Sequence, residues 1–239
     1  MDKNVFQFKK FQVSHGKSSM KIGVDAVLLG CWAGRVCEKI LEVGTGCGVI
    51  SLILAQRFPT SFIEAIDIDE SSVEEARKNF ENSPWSQRLK VQRECFPKET
   101  CQKENLYDLI VSNPPYFNSG IDRPSTPREI ARHQGELSIF SLIENSSQLL
   151  KSGGCLSMIF PTEFAERAIE CGKIHGLSLT RLCYIRNNPK SREKRVMMEL
   201  KKMGEVEESP CEVTHINLFE DGNPTDDHII LCKDFYLKF

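Results

Sequence analysis

K-I-L-E-V-G-T-G-C-G, residues 39–48, is the stretch that decides the fold. A short apolar run, Ile40 to Val43, stops at three glycines in alternate positions, Gly44, Gly46 and Gly48. From Val49 to Phe58 the pattern turns helical. Strand, glycine turn and helix in that order open the ligand crevice of doubly wound α/β sheets, because the turn lets a ligand approach the backbone at a helix N-terminus. The dinucleotide fingerprint would need its third glycine at position 49, where this chain has Val49. A pyrophosphate cradle, and with it a dehydrogenase, is therefore disfavoured. The spacing suits an adenosine-bearing ligand, with Glu42 and Thr45 beside the turn. A purely structural tight turn is the alternative for any such match taken alone.

Working outward, FIEAID (62–67) reads as a second strand ending at Asp67, nineteen residues past Gly48 and positioned to accept hydrogen bonds from ribose hydroxyls, with Ile68 next to it. An amphipathic helix is expected from Ser71 to about Asn82, with Ser72 and Glu75 spaced as a capping box. LKVQRE (89–94) reads as a third strand and YDLIVS (107–112) as a fourth. A helix near 138–150, the strand CLSMIFP (155–161) and a helix from Phe164 to His175 follow. LSLTRLCYI (177–185) and RVMMELKK (195–202) are joined by the basic loop NNPKSREK, so they read as an antiparallel edge hairpin. Alternating strands and helices give an α/β, Rossmann-like, doubly wound sheet of seven mainly parallel strands. Residues 1–35 precede the first clear strand and form an N-terminal extension rather than a separate domain, and 36–239 form the main domain.

The fourth strand runs straight into Asn113-Pro114-Pro115-Tyr116. Two prolines remove two backbone donors and stiffen the segment. An amino nitrogen conjugated to a ring or a carbonyl is a poor nucleophile, because its lone pair is delocalised. The Asn113 amide oxygen and the Pro114 carbonyl can each accept one of its N–H groups, which fixes it and favours tetrahedral character. Tyr116 can stack on a planar target. A loop stop with a packed aromatic is the alternative for these four residues taken alone.

Together EVGTGCG, AIDID and NPPY resemble the class I S-adenosylmethionine-dependent methyltransferases that act on exocyclic or amide nitrogens. The resemblance implies S-adenosylmethionine as cofactor, with Gly44, Gly46 and Gly48 shaping its pocket and Asp67 holding the ribose. Many relatives carry an aspartate for the adenine amino group after the third strand. Here Glu94, Cys95 and Phe96 stand near that place, which implies recognition by backbone groups and packing on Phe96. FQFKKFQVSHGKSSMKIGVDAVLLGCWA (6–33), NPPYFNSG, TPREIARH and DFYL resemble the tRNA1(Val) adenine-N6 methyltransferases. By that resemblance the reaction is methylation of the adenine next to the anticodon, tRNA is the partner, and Lys21, Gly23 and Asp25 line the cofactor pocket from above. Protein-glutamine methyltransferases of release factors and rRNA guanine-N2 methyltransferases share NPPY. The former usually carry a helical N-terminal domain that about 35 residues cannot supply. A non-catalytic binding module is disfavoured by Asn113 and the glycine loop.

The chain has 239 residues, 40% hydrophobic and 27% charged, with a net charge of −2, which excludes a globally basic nucleic-acid binder. The charges are uneven. Residues 3–21 hold five lysines and no acid. Residues 181–202 hold eight cations, Arg181, Arg186, Lys190, Arg192, Lys194, Arg195, Lys201 and Lys202, against Glu193 and Glu199. Residues 64–81 are acidic. Such asymmetry fits a phosphate-binding face, or merely solvated faces. Arg123, Arg128, Arg132 and His133 could meet phosphates around a flipped base or pair with Glu129 and Glu136. Ten cysteines form no CxxC, and no histidine has zinc-ligand spacing, so reduced thiols without metal are expected. No apolar run spans a membrane and the N-terminus has no signal-peptide pattern. The expectation is a cytoplasmic protein, with a monomer favoured.

Overall fold

The computed structural model describes residues 4–16, 22–35, 37–96, 104–114, 138–203 and 210–239. Its centre is one sheet in the order β10-β8-β9-β7-β6-β3-β4-β5. These strands are β3 (Lys39–Val43), β4 (Phe62–Asp67), β5 (Leu89–Arg93), β6 (Tyr107–Ser112), β7 (Leu150–Pro161), β8 (Leu177–Arg186), β9 (Arg195–Lys202) and β10 (Glu212–Asn217). Every neighbouring pair is parallel except those made by β9, which runs antiparallel to both β7 and β8. The carboxyl ends of all the parallel strands and the start of β9 therefore lie along one edge of the sheet, and loops of different origin meet there.

Both faces are covered. Alternation along the strands sends Ile40, Ile63, Leu109 and Val111 into one apolar cluster and Leu41, Val43, Ile110 and Met158 into the other. The first cluster packs under α1 (Val24–Trp32), α2 (Val49–Arg57) and α3 (Glu70–Glu81), the second under α4 (Ile139–Leu149) and α5 (Ala165–Ile174). Buried strands of a parallel sheet are near-continuous apolar runs because neither face meets water. That explains why KILEV and YDLIV read so clearly.

The seven expected strands are present, and β10 adds an eighth outside the β8–β9 hairpin, so the hairpin is not the edge. Its residues are exposed over most of its length, which leaves no apolar alternation in the sequence to announce it. A short hairpin of β1 (Val5–Gln7) with β2 (Gln12–Ser14), the pair β11 (Phe219–Glu220) with β12 (Asn223–Pro224), and the helix α6 (Asp226–Cys232) complete the chain. The capping-box expectation fails for α3. Its N-cap is Asp69, whose Oδ2 accepts from the Ser72 backbone N–H at 2.9 Å and from the hydroxyls of Ser71 and Ser72 at 2.7 Å. A carboxylate satisfies the orphan N–H groups and favours the helix dipole, so the cap moves to it and Ser72 falls within the first turn. Among the described residues no helix is long and apolar enough to cross a membrane, and the nine described cysteines are free thiols.

Candidate active site

The glycine turn is held from below. The backbone N–H groups of Gly44 and Thr45 donate to the Ile66 carbonyl at 2.9 and 3.1 Å, and that of Gly46 donates to Asp67 Oδ2 at 2.8 Å. The other carboxylate oxygen of Asp67 accepts from Asp69 N–H at 3.0 Å. The acid at the end of β4 thus fixes the loop after β3, and each oxygen keeps a lone pair for a further donor. All three loop glycines have positive φ, 73° at Gly44, 54° at Gly46 and 84° at Gly48. Their surroundings differ. A Cβ on Gly44 or Gly46 would meet nothing within 4 Å, whereas one on Gly48 would lie 2.5 Å from the Phe80 ring. Gly44 and Gly46 keep a cradle open; Gly48 lets α3 pack against the turn.

Beneath the turn, Glu42 is fully buried. Its Oε2 accepts from Thr45 Oγ1 at 2.8 Å, from Ser51 N–H at 3.0 Å and from the Ser51 hydroxyl, while Oε1 has no hydrogen-bond partner. Burial pushes its carboxyl up to about 7 despite the donors. Thr45 itself is turned inward to this carboxylate.

Beyond the turn, Ile68 is 56% exposed directly after Asp67. Glu94 N–H donates to the Asp67 carbonyl at 3.0 Å, which brings the end of β5 alongside. Cys95 is exposed there and Phe96 leans on the α4–α5 cluster. Ile68 and Phe96 therefore offer apolar surface at the same corner as Asp67.

On the other side of the turn lies β6. Val43 and Ser112 are register partners, and Ser112 Oγ donates to the Val43 carbonyl at 2.8 Å. Gly44 and Asn113 each follow one member of that pair, so Asn113 and the glycine cradle are neighbours. Asn113 is half-buried and Pro114 buried. Pro115, Tyr116, Lys21, Arg123, Arg128, Arg132 and His133 lie outside the described residues. The seryl stitch goes beyond what the motifs announce; a hydroxyl at the last strand position is its only trace in sequence.

Above the sheet edge, Gly23 caps α1 and Asp25 in its first turn forms an ion pair with Arg195 at the start of β9. Burial raises the Asp25 carboxyl pKa, with Arg195 working against it. The extension is tied down beside the glycine turn as well. Asn79 donates to the carbonyls of Ser14 and Cys47 at 2.9 and 2.8 Å and accepts from Ser14 N–H at 2.9 Å, while Glu75 accepts from Gly16 N–H at 2.8 Å.

The basic segment is less available than its composition suggests. Arg181 stacks over Trp32 at 4.0 Å and pairs with the buried Glu199 at 3.3 Å. Arg186 pairs with Glu193 at 2.6 Å, Arg195 is held by Asp25, and Lys202 donates to Asn105 Oδ1 and the Leu150 carbonyl, both at 3.0 Å. Lys190, Arg192 and Lys194 are exposed and form no ion pair among the described residues. Of the N-terminal lysines, Lys9 donates to the carbonyls of Lys233 and Phe239 at 2.5 and 3.2 Å. With Lys10 it borders a recess at the far end of α2, roughly 14 Å from the glycine turn.

Residues 22–170 match the family described as methyltransferase small domain. Relatives described as tRNA1(Val) (adenine(37)-N6)-methyltransferase include one from Parabacteroides distasonis, 38% identical, covering 98% of both chains. Another, from Trichodesmium erythraeum, is 38% identical over the full length of both. The chain belongs to this family of methyltransferases. The crystal structure of a predicted O-methyltransferase from Agrobacterium tumefaciens matches with TM-score 0.66 at 18% identity, over 88% of this chain and 96% of that one. A putative class I S-adenosylmethionine-dependent methyltransferase from Listeria monocytogenes matches with TM-score 0.56 at 15% identity, over 88% and 68%. At these identities the likeness shows the fold, which is that of the class I methyltransferases. As a member of its family the protein is an S-adenosylmethionine-dependent methyltransferase.

Proposed function

We propose that the protein transfers a methyl group from S-adenosylmethionine to the exocyclic N6 amino group of adenine 37 in tRNA1(Val). The observation that carries this reading is the Val43–Ser112 register, which sets Asn113 beside Gly44. An acceptor for amino protons and an open backbone cradle then share one wall. The cradle fits an adenosine-bearing cofactor on three counts: empty space above Gly44 and Gly46, lone pairs left on Asp67, and the unpartnered Oε1 of Glu42 below. Gly44, Thr45, Gly46, Gly48 and Glu42 would form the floor, Asp67 would take the ribose hydroxyls, and Ile68, Cys95 and Phe96 would flank the adenine. Lys21, Gly23 and Asp25 would close the pocket from above. When bound, the cofactor supplies an electrophilic methyl on a sulfonium.

The chain's own part is positioning. Asn113 Oδ1 and the Pro114 carbonyl accept the two amino protons and aim the lone pair, with Pro115 stiffening the segment and Tyr116 stacking on the base. Such alignment can contribute several kcal/mol (on the order of 4) without any base ionised beforehand. Nitrogen becomes acidic only after methylation, and its proton then leaves to water. Residues 1–35 serve as an extension over the cofactor site and 36–239 as the catalytic domain, in a cytoplasmic monomer without metal. The hydrogen bonds from Ser14 and Gly16 to α3 support that role for the extension.

The test is methylation in vitro with labelled S-adenosylmethionine, offering three substrates in parallel: tRNA1(Val), a transcript of it with guanine in place of adenine 37, and a release factor. Nucleoside mass spectrometry should find N6-methyladenosine in the first alone. Label in a glutamine of the release factor, or none in tRNA, would overturn the reading.

A further inference from the structure

Across the sheet edge from the glycine turn, a half-buried ring that leans on the core carries an exposed one on its outer side. Tyr184 on β8 and His215 on β10 are register partners, and their rings stack with centroids 5.3 Å apart and planes 20° from parallel. His215 is an exposed residue of the outermost strand, its side chain 53% accessible. Its orientation is fixed, because Nδ1 lies 2.9 Å from Glu193 Oε1 and that same oxygen accepts from Arg186 at 2.6 Å. With Nδ1 donating to the carboxylate, Nε2 and the outer ring face are turned to solvent. Glu193 is paired with the Arg186 guanidinium, so it adds little repulsion toward an anion.

The position matters. Tyr184 pairs with Val196, Val196 with Phe160, and Phe160 lies two residues past Met158, the partner of Ser112. The stacked rings are thus level with Asn113 and Pro114 along the strand direction. Tyr184 stands three strands from β6 and His215 four, roughly 14 and 19 Å across the sheet. Arg186 at the root of the β8–β9 loop belongs to the same cluster, and that loop carries the exposed cations Lys190, Arg192 and Lys194. An oriented, half-exposed ring beside available cations is how single-stranded nucleic acid is held, by base stacking together with phosphate neutralisation.

We propose that His215, backed by Tyr184, is a stacking platform for a second unpaired base of the substrate RNA, several nucleotides from the adenine that is methylated. This rests on the reading of tRNA as substrate. Glu193 is the positioning residue that holds the imidazole, and the loop cations meet the phosphates on either side of that base.

Binding of tRNA1(Val) by His215→Ala, His215→Phe and the wild type decides it, with thermal unfolding as a check on folding. His215→Ala should weaken binding about five- to tenfold, the lower range for loss of one stacked base. His215→Phe should restore binding to within about twofold, and neither should alter the salt slope, since stacking releases no counterions. A scan with 2-aminopurine through the unpaired nucleotides should find one whose quenching on binding is lost in His215→Ala alone. Unchanged affinity in His215→Ala, or a Phe variant as weak as Ala, overturns the platform. If the wild type binds and methylates tRNA1(Val) while His215→Ala is indifferent, the platform alone is wrong. If the wild type does not bind the tRNA, the substrate assignment fails and takes the platform with it.

Discussion

The two halves of the sheet's carboxyl edge are built on different physics. At β3, β4 and β5 the loop is shaped by backbone hydrogen bonds to Ile66 and Asp67 over a buried carboxylate, so few side chains are free to move. At β8, β9 and β10 the available groups are exposed cations and one stacked ring, Arg181, Arg186, Arg195 and Lys202 among the eight cations being held by groups of the chain itself. A small cofactor needs a shaped cavity and directional donors, and loses affinity with small displacements. A polyanion needs charge near a surface, tolerates displacement and is screened by salt. Asn113 stands between the halves, where the two demands meet.

The largest test of this contrast is Asn113→Ala. Both ligands should still bind, because the tRNA is expected to be held mainly by phosphate contacts and the cofactor by the glycine loop. The single-turnover rate should fall by on the order of 10²–10³, the scale for loss of one aligning polar group in a preorganised site. Asn113→Asp keeps an acceptor oxygen and should retain partial activity. A near wild-type rate in the alanine variant would break the assignment of the catalytic rack.

Within the cofactor half, Gly48 and Gly46 should separate stability from binding. Gly48→Ala adds a methyl 2.5 Å from the Phe80 ring at a positive φ, so unfolding free energy should drop by about 2–4 kcal/mol. Gly46→Ala meets no neighbour and should cost only about 1 kcal/mol of stability, while its methyl enters the cradle and weakens S-adenosylmethionine binding at least tenfold. Calorimetry and denaturant unfolding of the pair would expose a reversal.

Glu42 supplies a pH dependence. Its carboxyl, pushed up to about 7 in the folded protein from an ordinary 4.5, binds its proton more tightly folded than unfolded. This group therefore costs nothing below about pH 4.5, and the cost grows as pH rises to about 7, reaching on the order of 3 kcal/mol at higher pH. Glu42→Gln should leave stability nearly unchanged at pH 4.5 and raise it at pH 8, with cofactor affinity reduced. Equal unfolding midpoints for the two proteins at pH 8 would refute a buried, strained carboxylate.

What can be read in advance follows from where the physics is local. The strands KILEV and YDLIV announce themselves because both faces are buried, and the site at their ends is legible because glycine, proline and asparagine act through their own backbones. The β10 strand is hidden because four of its six residues are exposed, so no alternation survives. The α3 cap is ambiguous in sequence because Asp69, Ser71 and Ser72 all have capping chemistry and only geometry chooses. The pairing of Asp25 with Arg195 joins positions 170 residues apart, and no spacing rule reaches that far. Counting charge in residues 181–202 overstates how much of it is free.

The smallest effect, and the sharpest test of the basic half, is a comparison of neighbouring cations. Arg192 and Lys194 are exposed and form no ion pair among the described residues, whereas Arg195 is bound to Asp25 with 28% of its side chain accessible. Reversing Arg192 and Lys194 to glutamate should weaken tRNA binding about tenfold, near 1.4 kcal/mol, and lower the salt slope by about one for each phosphate that is no longer neutralised. Cofactor affinity should not move. Arg195→Glu sets a second carboxylate against Asp25 at the start of α1, so its primary consequence should be a lower unfolding midpoint and weaker cofactor binding, with the tRNA salt slope unchanged. The composition of the segment makes the three cations equivalent; their partners make them different. If Arg195→Glu lowers the salt slope as much as Arg192→Glu does, while the fold and the cofactor site remain intact, then the ion pair opens in solution and the division between the two halves is weaker than the hydrogen bonds imply.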